Sequence, residues 1–138
     1  MELELKNVEL LNIFNSMVEF MQIEFPIDHI GWNLKKNMKN IESALKLFAE
    51  CEQELVSKYA VKDKEGNIKY DDKGQPEIYP AKRKEYIKEH SELLNCKNTV
   101  NINRIKLSVL MDYCKEKGIN IKPSLLFDLD FMIEDDLQ

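Results

Sequence analysis

Residues 28–59 read DHIGWNLKKNMKNIESALKLFAECEQELVSKY. The apolar positions Leu34, Met38, Ile41, Leu45, Phe48, Leu55 and Tyr59 fall in steps of four, three, four and three, then seven and four. That spacing puts them on one stripe of a helix and predicts a long helix beginning near Pro26 or Asp28. Glu52 stands in the seven-residue gap. An unpaired carboxylate is costly to bury, so the seam is expected to be partly wet there. Two copies paired through this seam would bring their Glu52 side chains together, which disfavours a homo-oligomer. Counting Cys51 instead of Glu52 gives an ordinary amphipathic stripe with the carboxylate at its edge. The two readings stay open. Gly31 marks either a close backbone contact or a loose first turn.

A helix of about 32 residues is about 48 Å long, while a compact body of this chain length is about 37 Å across. The helix is therefore kinked, or the molecule is elongated, or the exposed end is covered by another molecule. The seam up to Phe48 reads as core. Beyond it, packing partners within the chain are expected to run short.

The rest of the chain builds around that helix. Residues 2–6 alternate apolar and polar, which predicts a short strand. Asn7 is placed to cap a following helix that runs to about Gln22, with Leu10, Phe14, Met17 and Met21 in line. Pro26 ends the break that follows. After the long helix, KDKEGNIKYDDKGQPEIY (62–79) is rich in turn residues. Ile68–Tyr70 and Glu77–Tyr79 read as the two strands of an exposed hairpin arm. Two strands alone are marginal in water, so the arm must lean on the body, pair with another edge, or order on a partner.

Pro80 opens a helix to about Leu94. Residues 98–107 read as one strand with a bulge near Asn103-Arg104. Ser108 is placed to cap a helix that Gly118 ends, Ile119–Ile121 is extended, and Pro123 begins a last helical segment reaching Ile133. The acidic tail is expected to fray. No internal repeat is apparent. The expectation is one α+β domain over 1–138, mainly helical, with a long central helix, a hairpin arm and a few short strands.

The 138 residues carry a net charge of −5, with 43% hydrophobic and 33% charged side chains, enough for a core under a solvated surface. The acidic balance argues against a general nucleic-acid binder. Cys51, Cys96 and Cys114 are odd in number, widely spaced and free of C-x-x-C pairs, and read as reduced thiols of a cytoplasmic protein. The start MELELKNVELL has no basic segment before an apolar run, and no stretch approaches the roughly 20 apolar residues of a membrane span.

Chemistry-bearing motifs are scarce. His29 and His90 have no His, Cys or carboxylate three or four residues away, so packed histidines are favoured over metal ligands and no metal or cofactor is expected. Asp63-Lys-Glu65-Gly-Asn67 fails the calcium-loop template, because Ile68 stands where Gly is required and Gly74 where the bidentate Glu belongs. No nucleophile motif or phosphate loop is present, so no catalytic residue is named. Two basic groups remain: Lys35, Lys36 and Lys39, then Lys82, Arg83 and Lys84. Solvated helix faces are their ordinary reading, and phosphate contacts the alternative.

Several stretches resemble a family of small uncharacterised phage and prophage proteins of Gram-positive bacteria. LKNVELLNIFNSMVEF (5–20) is similar to its strand-then-helix start, and PIDHIGWNLKKNMKNIESALKLFAECEQELVSKY (26–59) to its long helix. KDKEGNIKYDDKGQPEI (62–78) resembles its polar arm, and NINRIKLSVL and KPSLLFDLDFMIED its closing elements. The resemblance implies a phage origin and a non-enzymatic role, with no site to carry over. The expected function is a protein-interaction module that binds a host protein, for example as an inhibitor of a defence system, or acts in virion assembly. The expected contact residues are Leu55, Tyr59, Tyr70, Ile78 and Tyr79. In the inhibitor version, an acidic surface at Asp128, Asp130, Glu134, Asp135 and Asp136 competes for a basic nucleic-acid groove, while solubility is the ordinary and favoured reading of that tail. The alternative is a nucleic-acid accessory protein using the two basic faces.

Overall fold

The computed structural model describes residues 1–137. Strand β1 (Glu2–Lys6) leads directly into α1 (Asn7–Phe20). The expected cap at Asn7 is corrected by the geometry. Lys6 holds the cap position, and its backbone N–H donates to the Glu9 carboxylate at 3.0 Å. Asn7 is instead buried, donating to the Leu93 carbonyl at 2.8 Å and accepting from the Asn98 amide at 2.8 Å. A side chain that polar is tolerated inside because both ends of its amide are satisfied.

The long helix α2 runs from His29 to Tyr59 without a break, 31 residues or about 46 Å. Gly31 is a close backbone contact. Its N–H donates to the Pro26 carbonyl at 2.9 Å, and a Cβ there would lie 2.4 Å from that oxygen. After the arm, a 3₁₀ turn (Pro80–Lys82) precedes α3 (Arg83–Leu94). Strand β2 (Lys97–Asn101) pairs antiparallel with β1, Leu3 opposite Val100 and Leu5 opposite Asn98.

The single strand expected over 98–107 is two. After β2 the chain turns away, and β3 (Ile105–Lys106) pairs in parallel with β4 (Ile133–Glu134). Asn37, fully buried on α2, fixes the break. Its Oδ1 accepts the Asn103 N–H at 2.7 Å and its Nδ2 donates to the Asn103 carbonyl at 2.9 Å. Helix α4 (Leu107–Lys117) ends at Gly118, whose φ of +66° suits glycine. Ser108 is not its cap but lies within its first turn. Helix α5 (Pro123–Asp128) and a 3₁₀ turn (Asp130–Met132) lead into β4, so Ile133 is in a strand and not in the expected helical segment.

The core lies between α1, the N-terminal half of α2 and the C-terminal elements, with Leu10, Met17, Phe20, Ile30, Leu34, Ile41, Leu110, Leu129 and Met132 buried. The chain is thus α+β and mainly helical. The C-terminal half of α2 does not run short of partners. Val56 and Tyr59 are buried, with α3 packed alongside. No described helix is long and apolar enough to cross a membrane.

Candidate protein-interaction surface

The arm that follows α2 pairs antiparallel across the Asp71–Gly74 turn as the sequence predicts, but through isolated bridges and with a second turn added. Three antiparallel bridges build it: Lys62 with Ile68, Tyr70 with Pro76, and Ala60 with Ile78. Their backbone hydrogen bonds form a closed ring. The Val61 N–H donates to the Glu77 carbonyl at 2.8 Å, Glu77 donates to Lys69 at 2.9 Å, and Lys69 donates to Val61 at 2.9 Å. The ring positions are eight residues apart, and so are the turns. VKDKEGNI (61–68) and KYDDKGQP (69–76) are two copies of one unit, a repeat not apparent from composition.

In the first unit, the Asp63 carboxylate accepts the N–H groups of Glu65 and Asn67 at 2.9 and 3.0 Å. In the second, Asp71 accepts those of Lys73 and Gln75, both at 2.9 Å. Gly66 and Gly74 take φ of +84° and +78°, the left-handed backbone each turn needs. The third corner of the ring has no turn. The end of α2 and the start of α3 close it through Ala60 and Ile78. Ala60 is buried, and Ile68, Pro76 and Ile78 are half-buried, giving the arm a small apolar interior. This answers how two short strands persist in water: the backbone groups at the ring satisfy one another.

The predicted contact residues divide. Tyr70 and Tyr79 are exposed at 56% and 44%, and the Lys82 ammonium sits 5.6 Å from the Tyr79 ring centre. Ile78 is half-buried in the ring. Leu55 is half-buried in an open groove between α2 and α3, which it shares with Cys51, Leu93 and Cys96. Tyr59 is a correction: at 6% exposure it is part of the packing and offers no face to a partner. Its ring meets Tyr86 edge-on at 6.1 Å.

Around Tyr59 a polar cluster joins α2 to α3. Lys58 pairs with Glu89 at 3.2 Å. The nearby Tyr59 hydroxyl, then Lys58, holds the Glu89 carboxyl below its ordinary range. Glu89 in turn raises the Tyr59 phenol. His90 Nε2 lies 3.0 Å from Glu52 Oε2, and its ring stacks on Tyr86 at 5.7 Å. Burial, then the Glu52 charge, raises the Tyr86 phenol. The wet carboxylate of the seam thus has its partner inside the chain. The missing signal was that an antiparallel α2–α3 pair sets Glu52 and His90 at one level.

Among the described residues, no group of three His, Cys, Asp or Glu side chains is arranged to hold a metal ion. His29 accepts the Lys106 N–H at 3.2 Å through Nε2, a structural task. The three cysteines are free thiols. The two basic groups are not brought together. Lys39 precedes the end of α2, where Lys82 follows, by about 30 Å of helix. The acidic surface is likewise partly engaged. Asp128 accepts from the Ser16 hydroxyl at 3.0 Å. Asp136 accepts from both the N–H and the hydroxyl of Ser108, capping α4 from across the chain, so this part of the tail is anchored and not frayed. Asp130, Glu134 and Asp135 are exposed. In comparisons with known proteins, the chain matches no family model, no curated protein and no solved structure.

Proposed function

We propose that the chain is a non-catalytic protein-interaction module, phage-derived as the family resemblance implies, that holds a host or virion protein through its arm. One observation carries this reading. The arm is a closed ring whose corners Val61, Lys69 and Glu77 bond one another through the backbone, and it presents Tyr70 outward, and Tyr79 beside Lys82. A rigid ring loses little freedom on binding, and tyrosine offers large contact area with few rotatable bonds. Work in the host cytoplasm, including inhibition of a defence system, is the version in which such a contact is used during infection.

The experiment is capture of partners from host lysate by the full chain and by the Tyr70→Ala/Tyr79→Ala variant. A partner held by the parent and lost by the variant supports the arm. Equal capture by both excludes it. A salt titration against random DNA and RNA separates the alternative, since binding through phosphates falls steeply with salt. Absence of binding at low salt ends that alternative.

A further inference from the structure

Helix α2 carries a second stripe, on the side away from the core. Trp32, Lys36, Lys39, Ser43, Lys46 and Glu50 follow steps of four and three, the spacing of a helix–helix seam. The stripe continues in the same steps to Gln53 and Ser57. Apart from half-buried Lys36, these side chains are exposed. Leu47, beside the stripe, is 58% exposed, and Trp32 55%.

The charge on this face is divided along the helix. Beyond Asp28 at the cap, the first part carries Lys35, Lys36 and Lys39. Glu42 and Lys46 flank the middle. The last part carries Glu50 and Glu54, while Glu52 and Lys58 are engaged by His90 and Glu89. A helix positive at one end and negative at the other is complementary to itself when reversed.

We propose that this face is an interface with a second copy of the chain, the two α2 helices running antiparallel about a two-fold axis at the level of Ala44 and Leu45. That axis is the midpoint of α2. It sets Lys39 against Glu50 of the second copy, Lys36 against Glu54 and Lys35 against Gln53, each twice by symmetry. A parallel pair would set lysines against lysines. Ser43, small, lies next to the axis and admits close approach of the backbones, and Leu47 loses its exposure there.

Glu52 argues against pairing through the inner seam, which the core and α3 already cover. The outer stripe is a different face and leaves Glu52 with His90. Because the contacts are polar and at the surface, the dimer is weak and sensitive to salt. It also sends the two arms to opposite ends of the pair, so that each can be engaged at once, whatever the arm holds.

Sedimentation of the full chain up to millimolar concentration tests this. A monomer–dimer equilibrium is expected, weakening about tenfold or more between roughly 50 and 500 mM salt. Lys39→Glu and Glu50→Lys are each expected to sediment as monomers, with helix content unchanged by circular dichroism. Mixed in equal amounts they are expected to form a heterodimer. The glutamate introduced in one variant then faces the lysine introduced in the other, and the native Lys39 and Glu50 that remain face each other. The double variant, with both pairs reversed, is expected to recover the homodimer. A parent that stays monomeric at low salt overturns the proposal. So do single variants that dimerise like the parent, or a mixture that stays monomeric.

Discussion

The carboxylate of Glu52 and the imidazole of His90 lie 3.0 Å apart, thirty-eight residues distant in the chain, and together with Tyr86 they seat α3 on α2. Helix α3 has no fully buried side chain of its own. Its attachment therefore rests on half-buried contacts, and these dominate its local stability. His90→Ala removes the hydrogen bond and the stacked ring, and is expected to cost about 1–2 kcal/mol. Glu52→Gln keeps an acceptor and is expected to cost less. Hydrogen exchange across residues 83–94 reads both. Protection unchanged in His90→Ala would show that other contacts hold the helix.

The eight-residue repeat predicts paired behaviour in the arm. Asp63→Ala and Asp71→Ala each remove two carboxylate bonds to backbone N–H groups, worth about 0.5–1.5 kcal/mol apiece at the surface. Both are expected to loosen residues 61–78 to similar extents and to leave the melting of the body in place. Gly74→Ala meets no steric obstacle but keeps a left-handed backbone, at a cost of about 1 kcal/mol. Amide exchange resolved by residue checks the equivalence. A large effect from one aspartate alone would break it.

Gly31→Ala is the opposite case. Its φ is ordinary, and the obstacle is the Pro26 carbonyl oxygen, a backbone atom with little room to move. The variant is expected to lose about 1–3 kcal/mol in urea denaturation, despite the better helix propensity of alanine. A gain in stability would mean that the residues before α2 adjust freely.

Acid should release the tail from α4. The Ser108 hydroxyl, then its N–H, hold the Asp136 carboxyl below its ordinary value. A depressed carboxyl contributes stability above its unfolded value, near pH 3.9, and loses it as pH falls through the lower folded value. Glu89, lowered by Tyr59 and Lys58, has the same sign. Titration of Asp136 followed by NMR should move up toward the ordinary value in Ser108→Ala. An unmoved midpoint would assign the shift to another group.

Legibility in the sequence followed periodicity. The inner stripe of α2, the alternation of residues 2–6 and the glycine at 118 could be read because each is a local pattern with one physical meaning. The misread places are decided at long range. Asn7 looks like a cap until the carbonyl of Leu93 claims its amide, and Ser108 looks like a cap until Asp136 takes the role from twenty-eight residues away. Residues 98–107 look like one strand because nothing local announces Asn37, whose buried amide bends the chain at Asn103. Tyr59 ends an apolar stripe and so looked available, yet α3 returns to cover it. The arm differs from these. Asp63 with Asp71, and Gly66 with Gly74, recur eight residues apart, but two matched positions in eight do not announce a repeat, and a closed ring is not among the usual readings of two adjacent turns.

The ring has a consequence for how the chain assembles. Ala60 and Ile78 enclose seventeen residues, a short loop whose closure costs little entropy. Once the two turns form, the end of α2 and the start of α3 are delivered to each other, and Glu52 finds His90 by local search. By contrast, β1 meets β2 across most of the chain, with Leu3 waiting for Val100. Contacts this distant form late when near ones compete. The arm, besides any partner it holds, is thus expected to make the α2–α3 pair an early folding unit, with the N-terminal strand the latch that closes last.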